Sequence, residues 1–301
     1  MADPSTTDPS KTDPSTSDPS KTTTHSANPT STTEPPPTTT RGTGSCKLPA
    51  HPPPACTGTP AGITLKSLGD GGYKVTAPAV LDGVHIAGDL LVAADNVVIK
   101  NSQIDGTLIN EVGTTRFSFT VSDTTVGPAS GCIASPGVGE ANFTASRVLV
   151  RGHDDGFRMS GDNVRVEHSY ARLCANSGSQ SDGIQSYCPL GPCTGLVFDH
   201  NTIDARNIDA TFMINLVDPN LSGVAVTDNL LAGGAYTIDT RWSNGPRWLV
   251  SNNYVVAGAW AYGPVTTENT CSSQDWSGNF IVTMDGDYEV TSKVEQLTCV
   301  N

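Results

Sequence analysis

One short pattern returns along the chain after Cys46 and limits what it can fold into. Two or three alternating apolar residues precede a polar pair containing Asn, Asp, His or Ser, and another apolar residue follows. The copies are VVIKNSQI ending at Ile104, FTVSDTTV at Val126, VLVRGHDDGF at Phe157, VRVEHSYA at Ala171, LVFDHNTI at Ile203, VAVTDNLL at Leu231 and WLVSNNYV at Val255. A weaker copy, WSGNFIV, ends at Val282. The polar pairs begin at positions 101, 123, 152, 168, 200, 228 and 252, and a short step of 16 followed by a long one of 32 marks one copy as out of register.

Strands of three to five residues, recurring every 20 to 30 residues without helical periodicity, predict a stacked β-solenoid. A single unit leaves its backbone unpaired. Stacked at about 4.8 Å, every strand finds a partner and each unit buries its apolar side. Asn and Asp suit the corners because they tolerate left-handed backbone and bond back to the chain. A β-sandwich would need longer alternating strands joined by hairpin turns. The predicted fold class is all-β, with residues 46–301 as one domain.

Residues 1–45 cannot join that core. They are built almost wholly from Ser, Thr, Pro, Asp and Lys, with Asp-Pro-Ser recurring at Asp3, Asp8, Asp13 and Asp18. Such a composition predicts a disordered, partly polyproline linker.

The chain carries a formal net charge of −13, which argues against nucleic acid as a partner. It would also repel a polyanion unless a cation such as calcium bridged the two. Eight cysteines without paired zinc spacing predict disulfides and an oxidising compartment. Cys46 with Cys56, and Cys188 with Cys193, are spaced as local staples, while Cys132, Cys174, Cys271 and Cys299 have no pairing fixed by spacing. Secretion is expected, with an export signal removed, because Met1 runs straight into the linker. Nothing approaches the about 18 apolar residues of a membrane span, so no membrane insertion is expected. Oligomeric state is open.

The repeat resembles the right-handed parallel β-helix, pectate-lyase-like superfamily over roughly residues 60–300. That group includes pectate lyases, polygalacturonases, alginate lyases and phage tailspikes. No single family is matched: of the polygalacturonase motifs only Asp154-Asp155 is present, and no lysine stands beside the strongest cluster as an alginate-lyase base would. The resemblance implies a right-handed parallel β-helix and a secreted enzyme, a polysaccharide lyase or glycoside hydrolase cutting within a glycan chain. A non-catalytic module that binds a glycan or a surface, of the adhesin or tail-fibre kind, is the alternative.

The sharpest chemical feature is Gly152 to Met159, GHDDGFRM, followed by Ser179 to Tyr187, SQSDGIQSY. Asp155-Gly156-Phe157-Arg158 returns as Asp182-Gly183-Ile184-Gln185 after 27 residues, and a further 27 lead to Asp209. Stacked on successive units, three carboxylates about 5 Å apart would need a proton or a cation between them. The catalytic candidates are therefore Asp155, Asp182, Arg158 and His153. Asp154, Asp155, Asp182 and Asp209 are the candidate calcium ligands. Paired carboxylates serve hydrolysis as acid and base or nucleophile; a lyase would use Arg158, Arg241 or His153 with calcium. Asp-Gly is also a plain turn signal, which would make these residues structural.

Arg241-Trp242 and Arg247-Trp248 form a second cluster, with Tyr236 and Asp239 before and Trp260 and Tyr262 after. Aromatic faces stack on sugar rings and arginine forks grip carboxylates. The substrate-binding candidates are Arg241, Arg247, Gln185, Tyr187 and Trp242, whereas Trp276 is assigned to the cap of the stack.

Overall fold

The computed structural model describes residues 51–189, 191–241, 248–268 and 270–299. The expected 1–45 linker lies outside them. Alternation dictates the strands: in Phe119–Ser122, Phe143–Ser146 and Val164–Glu167 the first and third side chains are buried and the second and fourth face outward.

Strands come in triplets, and each pairs in parallel with its counterpart in the next triplet. Val164–Glu167, Tyr170–Leu173 and Ser181–Ser186 are followed by Cys193–Asp199, Thr202–Asp204 and Ala210–Asn215, then by Leu221–Thr227, Leu230–Ala232 and Tyr236–Asp239. Val164 lies opposite Leu196, Tyr170 opposite Thr202 and Ser181 opposite Ala210. First strands build a nine-stranded sheet, and the second and third belong to one of 19 strands. The long strand Leu149–Met159 joins those two sets by pairing with both. The protein is thus all-β with long parallel sheets, an arrangement consistent with a β-solenoid. Ile99, Leu108, Phe143, Phe157, Ile184, Phe198, Ile238 and Trp248 lie buried in its core.

The polar pairs divide two tasks between neighbours. The first member turns the corner in left-handed backbone: Asn101, Asp123, His168, His200, Asp228 and Asn252 have φ between 47 and 57°. The second points inward. Asn201, Asn229, Asn253 and Asn279 are fully buried and form a ladder, each side-chain oxygen accepting the backbone N–H of the equivalent residue one triplet earlier. Asn229 Oδ1, for example, accepts from Asn201 N–H at 2.9 Å, while its amide donates to the Phe198 carbonyl at 2.9 Å. These bonds satisfy polar backbone groups that no water reaches.

One copy of the repeat is corrected. Gly152-His153 is not a corner but lies inside Leu149–Met159. The corner of that triplet is Arg147, at φ 54°, after Phe143–Ser146. An arginine in left-handed backbone carries no corner signature, which hid it.

Cys188 bonds Cys193 as its spacing suggests, and Cys132 bonds Cys174 while Cys271 bonds Cys299. Cys56 is disulfide-bonded; its expected partner Cys46 lies outside the described residues. Both chain ends of the described region lie against the stack. Gly58 N–H donates to the Arg147 carbonyl at 2.8 Å and the His51 ring lies 5.1 Å from that of Tyr254. Phe280–Met284 and Val290–Gln296 form an antiparallel pair, and Trp276 Nε1 donates to the Leu297 carbonyl at 2.7 Å. Among the described residues no helix is long and apolar enough to cross a membrane.

Candidate functional site

Asp155 and Asp182 sit on neighbouring triplets, held in register by Phe157 opposite Ile184 and Arg158 opposite Gln185. Their Asp-Gly pairs are not turns. Asp155 Oδ1 accepts the Asp182 N–H at 2.9 Å, and Asp182 Oδ1 accepts the Phe212 N–H at 3.0 Å. A side-chain oxygen thereby takes the place of a backbone acceptor within the sheet. The following glycine permits close approach of the backbones: a Cβ on Gly183 would lie 2.5 Å from the Met213 carbonyl oxygen, and one on Gly156 would strike the carbonyl of Gly183.

Along the stack this position reads Pro136, Asp155, Asp182, Phe212, Tyr236 and Gly263. Asp209 is not in it. The strand starts at Ala210, opposite Ser181, and a register shift puts Phe212 where spacing alone put Asp209, which is exposed. The row therefore has two carboxylates followed by two aromatic rings.

A second row, three residues on, reads Arg158, Gln185, Asn215, Asp239 and Thr266. Each follows a core residue, Phe157, Ile184, Ile214 or Ile238, or Val265, which packs against the core, and so by alternation lies on the side away from it, Asp239 fully covered there. Glu140 holds Arg158 through contacts of 2.5 and 3.2 Å. Gln185 and Asn215 donate to Asp182 Oδ2 at 3.0 and 2.6 Å. Arg241 grips Asp239 at 2.7 Å, reaches Glu268 at 3.2 Å and stands 6.0 Å over the Phe212 ring. The rings of Tyr236 and Tyr262 are 5.9 Å apart, and Tyr262 is exposed.

Burial is the main cause that pushes the Asp155 carboxyl up to about 6; the charge of Asp154 adds to it, while the Asp182 N–H and Arg158 work against it. Asp182 is pushed up to about 7, again chiefly by burial, with the Asn215 hydrogen bond opposing and Asp155 adding. Two carboxyls one strand spacing apart titrate as a pair, and near neutral pH the pair retains protons that exposed carboxyls have lost.

The chain matches no protein-family model, no curated protein and no solved structure. Its own geometry therefore carries the functional reading.

Several expected site residues have other surroundings. His153 is fully buried, with ring nitrogens 2.9 Å from the Ser135 carbonyl and 3.3 Å from that of Gly106, and burial lowers its pKa. It is a core residue whose ring nitrogens face backbone carbonyls, one of them taking the N–H of the neutral imidazole. Asp154 Oδ1 accepts its neighbour's N–H at 2.9 Å. The predicted calcium set is not brought together: Asp209 stands apart, and the oxygens of Asp182 are faced by three N–H donors, which would repel a cation. Tyr187 is exposed beyond its strand. Trp242 and Arg247 lie outside the described residues.

Sequence reading missed Glu140, Asn215 and Phe212. A signal for Asn215 was present, because Phe157-Arg158, Ile184-Gln185, Ile214-Asn215, Ile238-Asp239 and Val265-Thr266 repeat an apolar residue followed by a polar one. It also missed a buried cluster around Asp204, whose Oδ2 accepts from Arg172 at 2.5 Å, Arg206 at 2.9 Å and Tyr288 at 2.7 Å.

Proposed function

We propose that this chain is a secreted right-handed parallel β-helix that binds a polysaccharide along the outer face carrying Asp155 and Asp182 and hydrolyses it internally. The observation that carries the reading is the register of these two carboxyls on adjacent triplets, with pKa values pushed up to about 6 and about 7. Such a pair supplies a carboxylic acid at neutral pH, as the departing sugar oxygen requires.

Hydrolysis of an uncharged glycan is favoured over elimination from a uronate. A lyase needs free positive charge beside the uronate carboxylate, and both candidate arginines are already paired, Arg158 with Glu140 and Arg241 with Asp239 and Glu268. Phe212, Tyr236 and Tyr262 continue the acidic row as an aromatic strip on which sugar rings can stack.

One observation supports the alternative of a non-catalytic glycan-binding module. Asp182 is 1% exposed and Asp155 9%, and both bond to backbone. The test is a panel of neutral and acidic polysaccharides, read for new reducing ends and for the ultraviolet absorbance of unsaturated products. Reducing ends without that absorbance, lost in Asp155→Asn and Asp182→Asn variants that still fold, support the hydrolase. Absorbance would make the protein a lyase, and glycan binding without any product would leave only the binding module.

A further inference from the structure

At the corner between the first and second strands of each triplet, the stack departs from its own pattern at one height. The corner row reads Asn101, Asp123, Arg147, His168, His200, Asp228 and Asn252, all in left-handed backbone. Asparagine meets that backbone need at both ends of the row, yet three successive triplets in the middle carry His168, His200 and Asp228. The row just before it, at the strand ends, begins with Asp82 and Lys100 and then reads Ser122, Ser146, Glu167, Asp199, Thr227, Ser251 and Ser277. Its hydroxyls give way to acids at the same height. Neither substitution is required by the backbone, and together they concentrate nitrogen and oxygen donors in one place.

We infer that Asp199, His200 and Asp228 form a binding site for one divalent transition-metal ion of the zinc class. One donor atom from each lies within 4.8 Å of the others, and His200 Nδ1 is 2.8 Å from Asp199 Oδ2. Zinc sits about 2.0–2.2 Å from imidazole nitrogen and carboxylate oxygen, so small side-chain rotations close the group around it. All three residues are partly exposed, which leaves a path for the ion. His168 stacks on His200 with ring centroids 5.1 Å apart. Its buried Nδ1 has no hydrogen-bond partner among the described residues. An imidazole with two carboxylates suits zinc, nickel or copper, whereas calcium takes six to eight oxygens. The site lies on the corner row and does not depend on the proposed glycan face.

The probe is Zn2+ alone, added to the chelator-stripped full chain and followed by calorimetry, metal analysis and thermal unfolding, with Co2+ as a spectroscopic substitute. One equivalent is expected to bind with a dissociation constant on the order of micromolar or tighter, raising the unfolding midpoint. His200→Asn and Asp228→Asn each remove a donor and install the residue that turns this corner elsewhere, so both should fold and bind at least about tenfold more weakly. His85→Asn, which breaks a His–Asp pair at 2.8 Å away from this group, should bind as the unaltered protein does. Absence of stoichiometric binding, or binding undiminished in both corner variants, overturns the site.

Discussion

The phenol oxygens of Tyr170 and Tyr288 lie 2.6 Å apart, although 118 positions separate the residues in the chain. Tyr288 belongs to the turn between the last two strands, and its hydroxyl also donates to Asp204 at 2.7 Å. The contact fastens the C-terminal hairpin to the side of the stack. Tyr288→Phe removes both bonds and Tyr170→Phe only one. With buried hydrogen bonds worth about 1–3 kcal/mol each when a partner is left unsatisfied, Tyr288→Phe should be the more destabilising in urea unfolding. Equal losses would show that the Asp204 bond contributes nothing.

Two groups of carboxyls give stability opposite dependences on pH. Burial by itself would raise Asp204, but the hydrogen bond from Arg206 and the charge of Arg172 hold it below the usual carboxylate range. Its contribution is present above the unfolded pKa and lost as pH falls through the folded one. Asp155 and Asp182, pushed up to about 6 and about 7, behave in the reverse sense: the native state holds protons the unfolded chain has released. Stability from this pair is full below the ordinary carboxylate pKa of about 4 and lost as pH rises through about 6 to 7. The thermal midpoint should fall between pH 5 and pH 8 by an amount that Asp155→Asn reduces. An unchanged slope in that variant would remove Asp155 from the titrating pair.

The stacked strands were legible because nearly every copy of the repeat carries the same alternation and a corner residue suited to left-handed backbone. Legibility failed where the cause lies in another triplet. Arg147 turns a corner with no local signature, and only its pairing partners reveal it. Asp155-Gly156 and Asp182-Gly183 read as turns in isolation, yet their conformation is set by the backbone N–H each carboxylate must satisfy one triplet away. Asp209 kept the spacing but not the register. Glu140 and Tyr288, the partners of Arg158 and Asp204, lie off the repeat, so periodicity could not announce them.

Glu140 determines what Arg158 can do. The carboxylate is 5% exposed and the guanidinium 34%, so the arginine faces solvent with its charge already matched. Glu140→Gln should free that charge at a stability cost of about 1–2 kcal/mol. Binding of acidic oligosaccharides, measured by affinity electrophoresis, should then strengthen and become salt-sensitive, while binding of neutral ones stays as it was. No gain for the acidic ligands would place Arg158 outside the glycan face.

Asn252 and Asn253 stand side by side and should respond oppositely to the same substitution. Asn252 turns the corner at φ 57° and is exposed, so glycine, free in that region, should replace it at little cost. Asn253 is a rung of the buried ladder: Oδ1 accepts from the Asn229 N–H at 3.1 Å, and Nδ2 donates to the Val226 carbonyl at 2.8 Å. Glycine there orphans both groups in a dry interior, at about 1–3 kcal/mol for each, and adds a cavity. Asn252→Gly should therefore unfold in urea close to the unaltered protein, and Asn253→Gly should lose roughly 3 kcal/mol or more. Similar losses at the two positions would mean that the ladder stabilises the stack no more than a corner does.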